Sequence, residues 1–236
     1  MVVRSARLLA YAMGPAIAVA FAGNATALGD LVPISRTSTV SASWSYSSSP
    51  VFQNGSESDG TATFDYFSRS LTSGNGAASQ TSYLLPNGAY AVVSATGVDN
   101  GSPMHHSGSS GASAFNYVFQ LTTPTTLYIS GTLSRNDAPF PIGFGIVRIY
   151  NDVTNQIVYE RSGSPTSAMT LNFSDTYLAT AGRYRFAVTA SNSGNGAMPG
   201  SLTYTSGATA MLTTPTPGSA SLLLLGGLAA ARRRRG

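Results

Sequence analysis

The chain has 236 residues, no Cys and only 9% charged side chains, against about 25% in an average globular protein. All 13 basic residues are Arg and six of them lie at the two ends, so that residues 28–214 keep seven Arg against nine Asp and Glu, a net charge of −2. This composition excludes a basic nucleic-acid-binding face, thiol catalysis, a disulfide framework and a thiolate zinc site.

Residues 1–27 carry a positive start at Arg4 and Arg7, an apolar run from Leu8 to Ala22, and Ala25 and Ala27 as an Ala-x-Ala cleavage site. Those three parts in that order define a secretory signal peptide, which directs a chain to the Sec export machinery. The apolar run is shorter than the roughly 20 residues a membrane-spanning helix needs, so cleavage after Ala27 is expected.

From residue 28 to 214 apolar residues alternate with period two, the signature of half-buried strands. Val40, Ala42, Trp44 and Tyr46 share one face of a strand over 39–47. Shorter strands are expected over 61–68, 80–85 and 89–95, and residues 97–112, rich in Gly and Ser, as a surface loop. Phe115, Tyr117, Phe119 and Leu121 alternate next, then Leu127, Ile129 and Leu133. Ile142, Phe144 and Ile146 alternate with Gly143 and Gly145; Ile146–Glu160 reads as a hairpin whose loop is Asp152–Asn155, its return strand spanning 156–161. Met169, Leu171 and Phe173 follow, then Tyr184, Phe186 and Val188 opposite Arg183 and Arg185, then a strand over 201–212.

This makes roughly eleven strands punctuated by turn signals. Asn-Gly tolerates the positive φ of tight turns, and it recurs at Asn54-Gly55, Asn75-Gly76, Asn87-Gly88, Asn100-Gly101 and Asn195-Gly196. The expected fold is all-β: an antiparallel β-sandwich, with a jelly roll as one arrangement that fits. Ser and Thr on the outer faces account for the low charge, since they favour extended backbone.

Chemistry-bearing residues are sparse in this stretch. The two His, His105 and His106, are adjacent and would point opposite ways in extended chain. No Gly-x-Ser-x-Gly elbow accompanies them. No pair of carboxylates is placed by a motif for glycoside hydrolysis. Glu57, Asp59 and Asp65 supply hard oxygens that suit a structural calcium ion, although their spacing does not follow the EF-hand order; an ordinary polar turn is the other reading. No further cofactor is expected. Aromatic residues make up 10% of the chain. Alternation sends most of them to the core and leaves Phe67 and Tyr128 out of phase, as candidate ligand contacts. Arg183 and Arg185 project to one side, suited to carboxylates or acidic sugars, or to serving as solvated charges that guard a sheet edge.

Residues 215–236 begin with Pro215-Thr216-Pro217, continue through a short Leu/Gly/Ala-rich helix, and end in Arg232, Arg233, Arg234 and Arg235 before Gly236. The apolar stretch would cover about 20 Å as a helix, against about 30 Å of hydrocarbon, with its Arg cluster held on the cytoplasmic side. The segment resembles the PEP-CTERM sorting signal of Gram-negative bacteria, with Thr216 where the usual motif has Glu. The resemblance implies processing by an exosortase-like enzyme, transient membrane residence through the C-terminal helix, and a place at the cell surface or in an extracellular, exopolysaccharide-associated matrix. An ordinary tail anchor is the alternative.

The expectation is therefore an exported, non-catalytic β-sandwich at the cell surface or in the extracellular matrix, binding saccharide or exopolymer. Two alternatives stay open: a glycan hydrolase on a β-sandwich, and a purely structural or adhesive surface protein.

Overall fold

The computed structural model describes residues 31–48, 51–102, 105–136, 143–163, 169–193 and 200–215. The expected signal peptide with Ala25 and Ala27 lies outside the described residues, and so do Thr216, Pro217 and Arg232 to Arg235. Pro215 is described and exposed. The described chain forms twelve strands: β1 (Leu31–Ser48), β2 (Val51–Thr61), β3 (Phe67–Ser73), β4 (Gly76–Leu85), β5 (Gly88–Ser102), β6 (His105–Leu121), β7 (Thr125–Arg135), β8 (Phe144–Asn151), β9 (Gln156–Ser162), β10 (Met169–Ala179), β11 (Gly182–Ser193) and β12 (Gly200–Thr213).

All pairings are antiparallel, and they build two sheets of six strands. One runs β10-β7-β12-β5-β4-β3 and the other β2-β1-β6-β11-β8-β9. The pairing of β5 to β12 is nested: β5 pairs with β12, β6 with β11, β7 with β10 and β8 with β9. The first four strands extend this unit on both layers, β1 lying beside β6 and β4 beside β5. The sheets meet where β5 and β6 pair with each other, over Asp99↔Gly108 to Ser102↔His105.

The two inner faces enclose one large core. Phe115, Tyr117, Phe119, Leu121, Phe186 and Val188 face inward from the second sheet, and Val93, Leu127, Ile129, Leu133 and Leu212 from the first. Fully burying a Leu or Phe side chain contributes roughly 1.5–3 kcal/mol, so this core dominates the stability. Phe119 stacks between Tyr117 and Tyr184, at centroid distances of 5.4 and 6.0 Å.

Away from those rings the sandwich is pinched by glycine. A Cβ on Gly111 would overlap the Ala77 carbonyl, one on Gly76 would lie 2.5 Å from the Ser110 carbonyl oxygen, and one on Gly145 would lie 2.5 Å from that of Gly207. Stacked sheets normally stand about 10 Å apart to accommodate side chains; here backbone packs on backbone. The filling in this region is polar. Asn192 Nδ2 donates to the Ala95 carbonyl at 2.7 Å and to Ser206 Oγ at 2.8 Å.

Four expectations are corrected by this architecture. Of residues 97–112, expected as a loop, 97–102 lie in β5 and 105–112 in β6, because Gly and Ser there serve close sheet approach rather than turning. Asn54-Gly55 lies inside β2 and Asn100-Gly101 inside β5, whereas chain reversals do occur at Gly74-Asn75 and Pro86-Asn87; Asn195-Gly196 lies outside the described residues. The alternation around residue 144 has the opposite phase to the one expected. Gly143 and Gly145 face inward where no side chain fits, and Phe144 is exposed. Finally, Arg183 and Arg185 guard no edge, since β11 sits between β6 and β8.

Candidate binding depression on the second sheet

Inward-facing Phe186 and Val188 force Arg185, Ala187 and Thr189 onto the outer face of β11, because side chains alternate along a strand. In register with them stand Tyr150, Arg148 and Ile146 of β8, and Asn116 of β6 lies opposite Ala187. The small Ala187 between the longer Asn116 and Arg148 leaves a depression of about 260 Å³, lined by these seven residues.

Two guanidinium groups frame it. Arg148 Nε donates to Glu160 Oε2 at 2.8 Å and its Nη1 lies 3.4 Å from the Tyr150 hydroxyl. The Glu160 carboxylate holds the Arg148 pKa above its ordinary value. Arg185 lies over the Tyr150 ring, 4.3 Å from its centroid, an attraction between cation and ring quadrupole. Its Nη2 donates to Asn155 Oδ1 at 2.7 Å. Asn155 occupies the β8–β9 turn with φ 54°, a left-handed conformation that Asn tolerates better than most residues. Two Arg and one Glu leave the depression one positive charge. It offers guanidinium, phenol, amide and hydroxyl groups around a small apolar floor, a set suited to binding a polyhydroxylated or anionic ligand.

A smaller cleft, about 90 Å³, lies beside the half-buried Trp44 and is lined by Ser45, Asn75, Ser107 and Ser109 among others. Gly55 and Gly74 abut the indole so closely that a Cβ on either would strike it. This space packs the tryptophan and has no charged lining.

The expected site residues fall elsewhere. Phe67 is buried, packed with Val40 and Ala78; it is the first residue of β3 after a turn, so an alternation carried through from residue 61 misplaces it. Tyr128 is exposed, on β7 between Thr176 and Thr213. Glu57 and Asp59 lie in extended β2 and Asp65 in the turn that follows; Asp59 is engaged by Arg69 and by the Gly60 amide. Among the described residues no three His, Cys, Asp or Glu gather to hold a metal ion. His105 and His106 open β6.

Sequence alone misses Arg148, Tyr150 and Asn116 as partners of Arg185, because outer-face neighbours depend on which strands pair. It also misses Arg36, which is wholly buried. The β1 register shifts between Pro33 and Ser35, and this bulge turns Arg36 inward, since one extra residue flips the face. Arg36 donates to the Thr63 and Asp65 carbonyls and to Ser82 Oγ at 2.6 Å. Burial lowers its pKa. Its role is to anchor the β2–β3 turn.

No protein-family model matches this chain, and no curated protein matches it. Among solved structures, the infectious bursal disease virus VP2 subviral particle is similar at 10% identity and TM-score 0.32, over 81% of this chain and 59% of that one. The enzymatically active domain of bacteriophage CBA120 tailspike protein 4 is similar at 10% identity and TM-score 0.26, over 60% of this chain and 20% of that one. This chain thus spans less than two thirds of either. At such scores neither likeness bears on function.

Proposed function

We propose that this chain is an exported surface or matrix protein, a non-catalytic jelly-roll sandwich that binds saccharide at the depression over Ala187. The observation carrying the reading is the outer-face assembly of Arg148, Tyr150, Arg185, Asn116 and Thr189. It presents hydrogen-bond donors around an aliphatic floor on a rigid central strand, where positioning costs little conformational entropy. The nested pairing of β5 to β12 is the strand order of a jelly roll, an architecture whose outer faces are free to carry recognition. The export half of the reading is supported by the signal-peptide pattern of residues 1–27 and by the PEP-CTERM-like pattern of residues 215–236.

Two experiments test the two halves of this reading. Intact mass spectrometry of the protein from medium and cell envelope is expected to find a species beginning at Leu28 and ending near residues 214–217; retention of Arg232 to Arg235 would overturn the sorting assignment. Soluble polysaccharides are expected to raise the melting temperature, as any ligand selective for the folded state does. Ala187→Leu, which fills the depression from an outer face, should abolish the rise. A panel of neutral and charged polymers that leaves the melting temperature unchanged would overturn the binding assignment and favour a purely structural role.

A further inference from the structure

We infer that the depression selects sugars bearing a carboxylate, with Arg185 as the anionic anchor; this rests on the saccharide-binding reading above. Four other Arg side chains are matched to acids: Arg69 with Asp59, Arg148 with Glu160, Arg161 with Asp175 and Arg183 with Asp152. Arg185 differs. The Tyr150 ring and the Asn155 amide oxygen fix its guanidinium, and neither carries a charge. Its Nε, shielded from solvent, has no hydrogen-bond partner among the described residues. The group is therefore oriented but not neutralised.

The end of this planar guanidinium, its Nη1 and the second Nη2 hydrogen, is matched in shape to a carboxylate, which it can take through two parallel hydrogen bonds. Its orientation is already set by the ring and the amide, so little side-chain entropy is lost on binding. Arg148 stands across the floor with its charge balanced by Glu160, so it supplies hydrogen bonds to sugar hydroxyls rather than a second full charge. The volume of about 260 Å³ falls just below the usual range for small-molecule pockets of roughly 300–1,000 Å³, which suits a sugar unit or two. Because the site is open on a sheet face, a long polymer can lie across it without threading.

The test uses the mature protein and four probes: polygalacturonate, its methyl ester, dextran sulfate and dextran. Polygalacturonate should raise the melting temperature, with the effect shrinking as salt rises, and the ester and dextran should do so at least tenfold less strongly at equal mass. Arg185→Gln should weaken polygalacturonate binding about tenfold or more. Arg183→Gln removes the same charge two residues away on the same strand, and should leave binding within about twofold. If polygalacturonate and dextran act equally, the acid selectivity is wrong while the saccharide reading stands. If dextran sulfate matches polygalacturonate and both Arg variants weaken binding alike, the attraction is diffuse charge and the anchor is overturned. If no probe acts, both readings fail.

Discussion

The Arg36 guanidinium on β1 donates to the Ser82 carbonyl on β4 at 2.9 Å, joining the two sheets through a fully buried cation. Ser38, Gln80, Ser82 and Ser113 surround it with further polar contacts, among them Ser38 Oγ to Ser82 Oγ at 3.1 Å. A buried carbonyl stripped of its donor costs about 1–3 kcal/mol. Arg36→Met should therefore lower unfolding free energy by about 2–4 kcal/mol and open the turn over residues 62–66 to proteolysis, while Ser82→Ala should cost about half as much. Denaturant titration followed by the fluorescence of the sole Trp, Trp44, measures both.

Tyr117 is buried in the core and its hydroxyl has no hydrogen-bond partner among the described residues. Burial pushes its pKa well above that of a free phenol. Removing an unsatisfied polar atom recovers its desolvation cost. Tyr117→Phe should leave the melting temperature unchanged or raise it, by the equivalent of about 1 kcal/mol. A fall of comparable size would mean that the hydroxyl has a partner after all.

The fold class was legible in the sequence because nearly every core strand keeps strict alternation: Phe115 to Leu121 and Tyr184 to Val188 read correctly from pattern alone. What the pattern hid has physical causes. The bulge near Ile34 changes face without any change in composition, so nothing in the pattern marks Arg36 as buried. At Gly143 and Gly145 the usual rule inverts, because the sheets approach too closely for side chains and the absent side chain becomes the inward one. Arg185 was visible as an outward charge, but Tyr150 and Arg148 join it only through the pairing of β11 with β8, which no local pattern encodes.

The glycine pinch gives its own prediction. Gly111→Ala would drive a methyl group into the Ala77 carbonyl, with the Thr96 carbonyl oxygen 3.0 Å away. Overpacking typically costs about 1–3 kcal/mol where side chains can adjust; backbone yields less, so a loss of about 3 kcal/mol or more is expected. Thermal unfolding of this variant against Gly163→Ala, a position with open space around it, isolates the effect.

Acid stability should carry a contribution from Asp175. Arg161 grips its carboxylate with bonds of 2.8 and 2.9 Å and the Tyr159 hydroxyl donates at 2.8 Å, which holds the Asp175 pKa below the ordinary carboxylate range, the Arg161 hydrogen bond being the main cause. A carboxyl with a depressed folded-state pKa stabilises fully above its unfolded value, near 4, and the contribution is lost as pH falls through the lowered value. Because the pair is partly exposed, it amounts to no more than about 1 kcal/mol. Asp175→Asn should lose that amount at neutral pH and show a flatter decline below about pH 4, as read from melting temperature against pH.

Hydrogen–deuterium exchange with and without polygalacturonate tests the central claim most directly, because it locates the ligand rather than merely detecting it. The depression lies on β8 and β11, so slowed exchange should centre on residues 146–150 and 185–189, extend to the neighbouring stretch of β6 around Asn116, and vanish in Arg185→Gln. Protection confined to β7 around Tyr128 or to the Trp44 cleft, with residues 146–150 and 185–189 unchanged, would contradict the assignment of this face as the binding site.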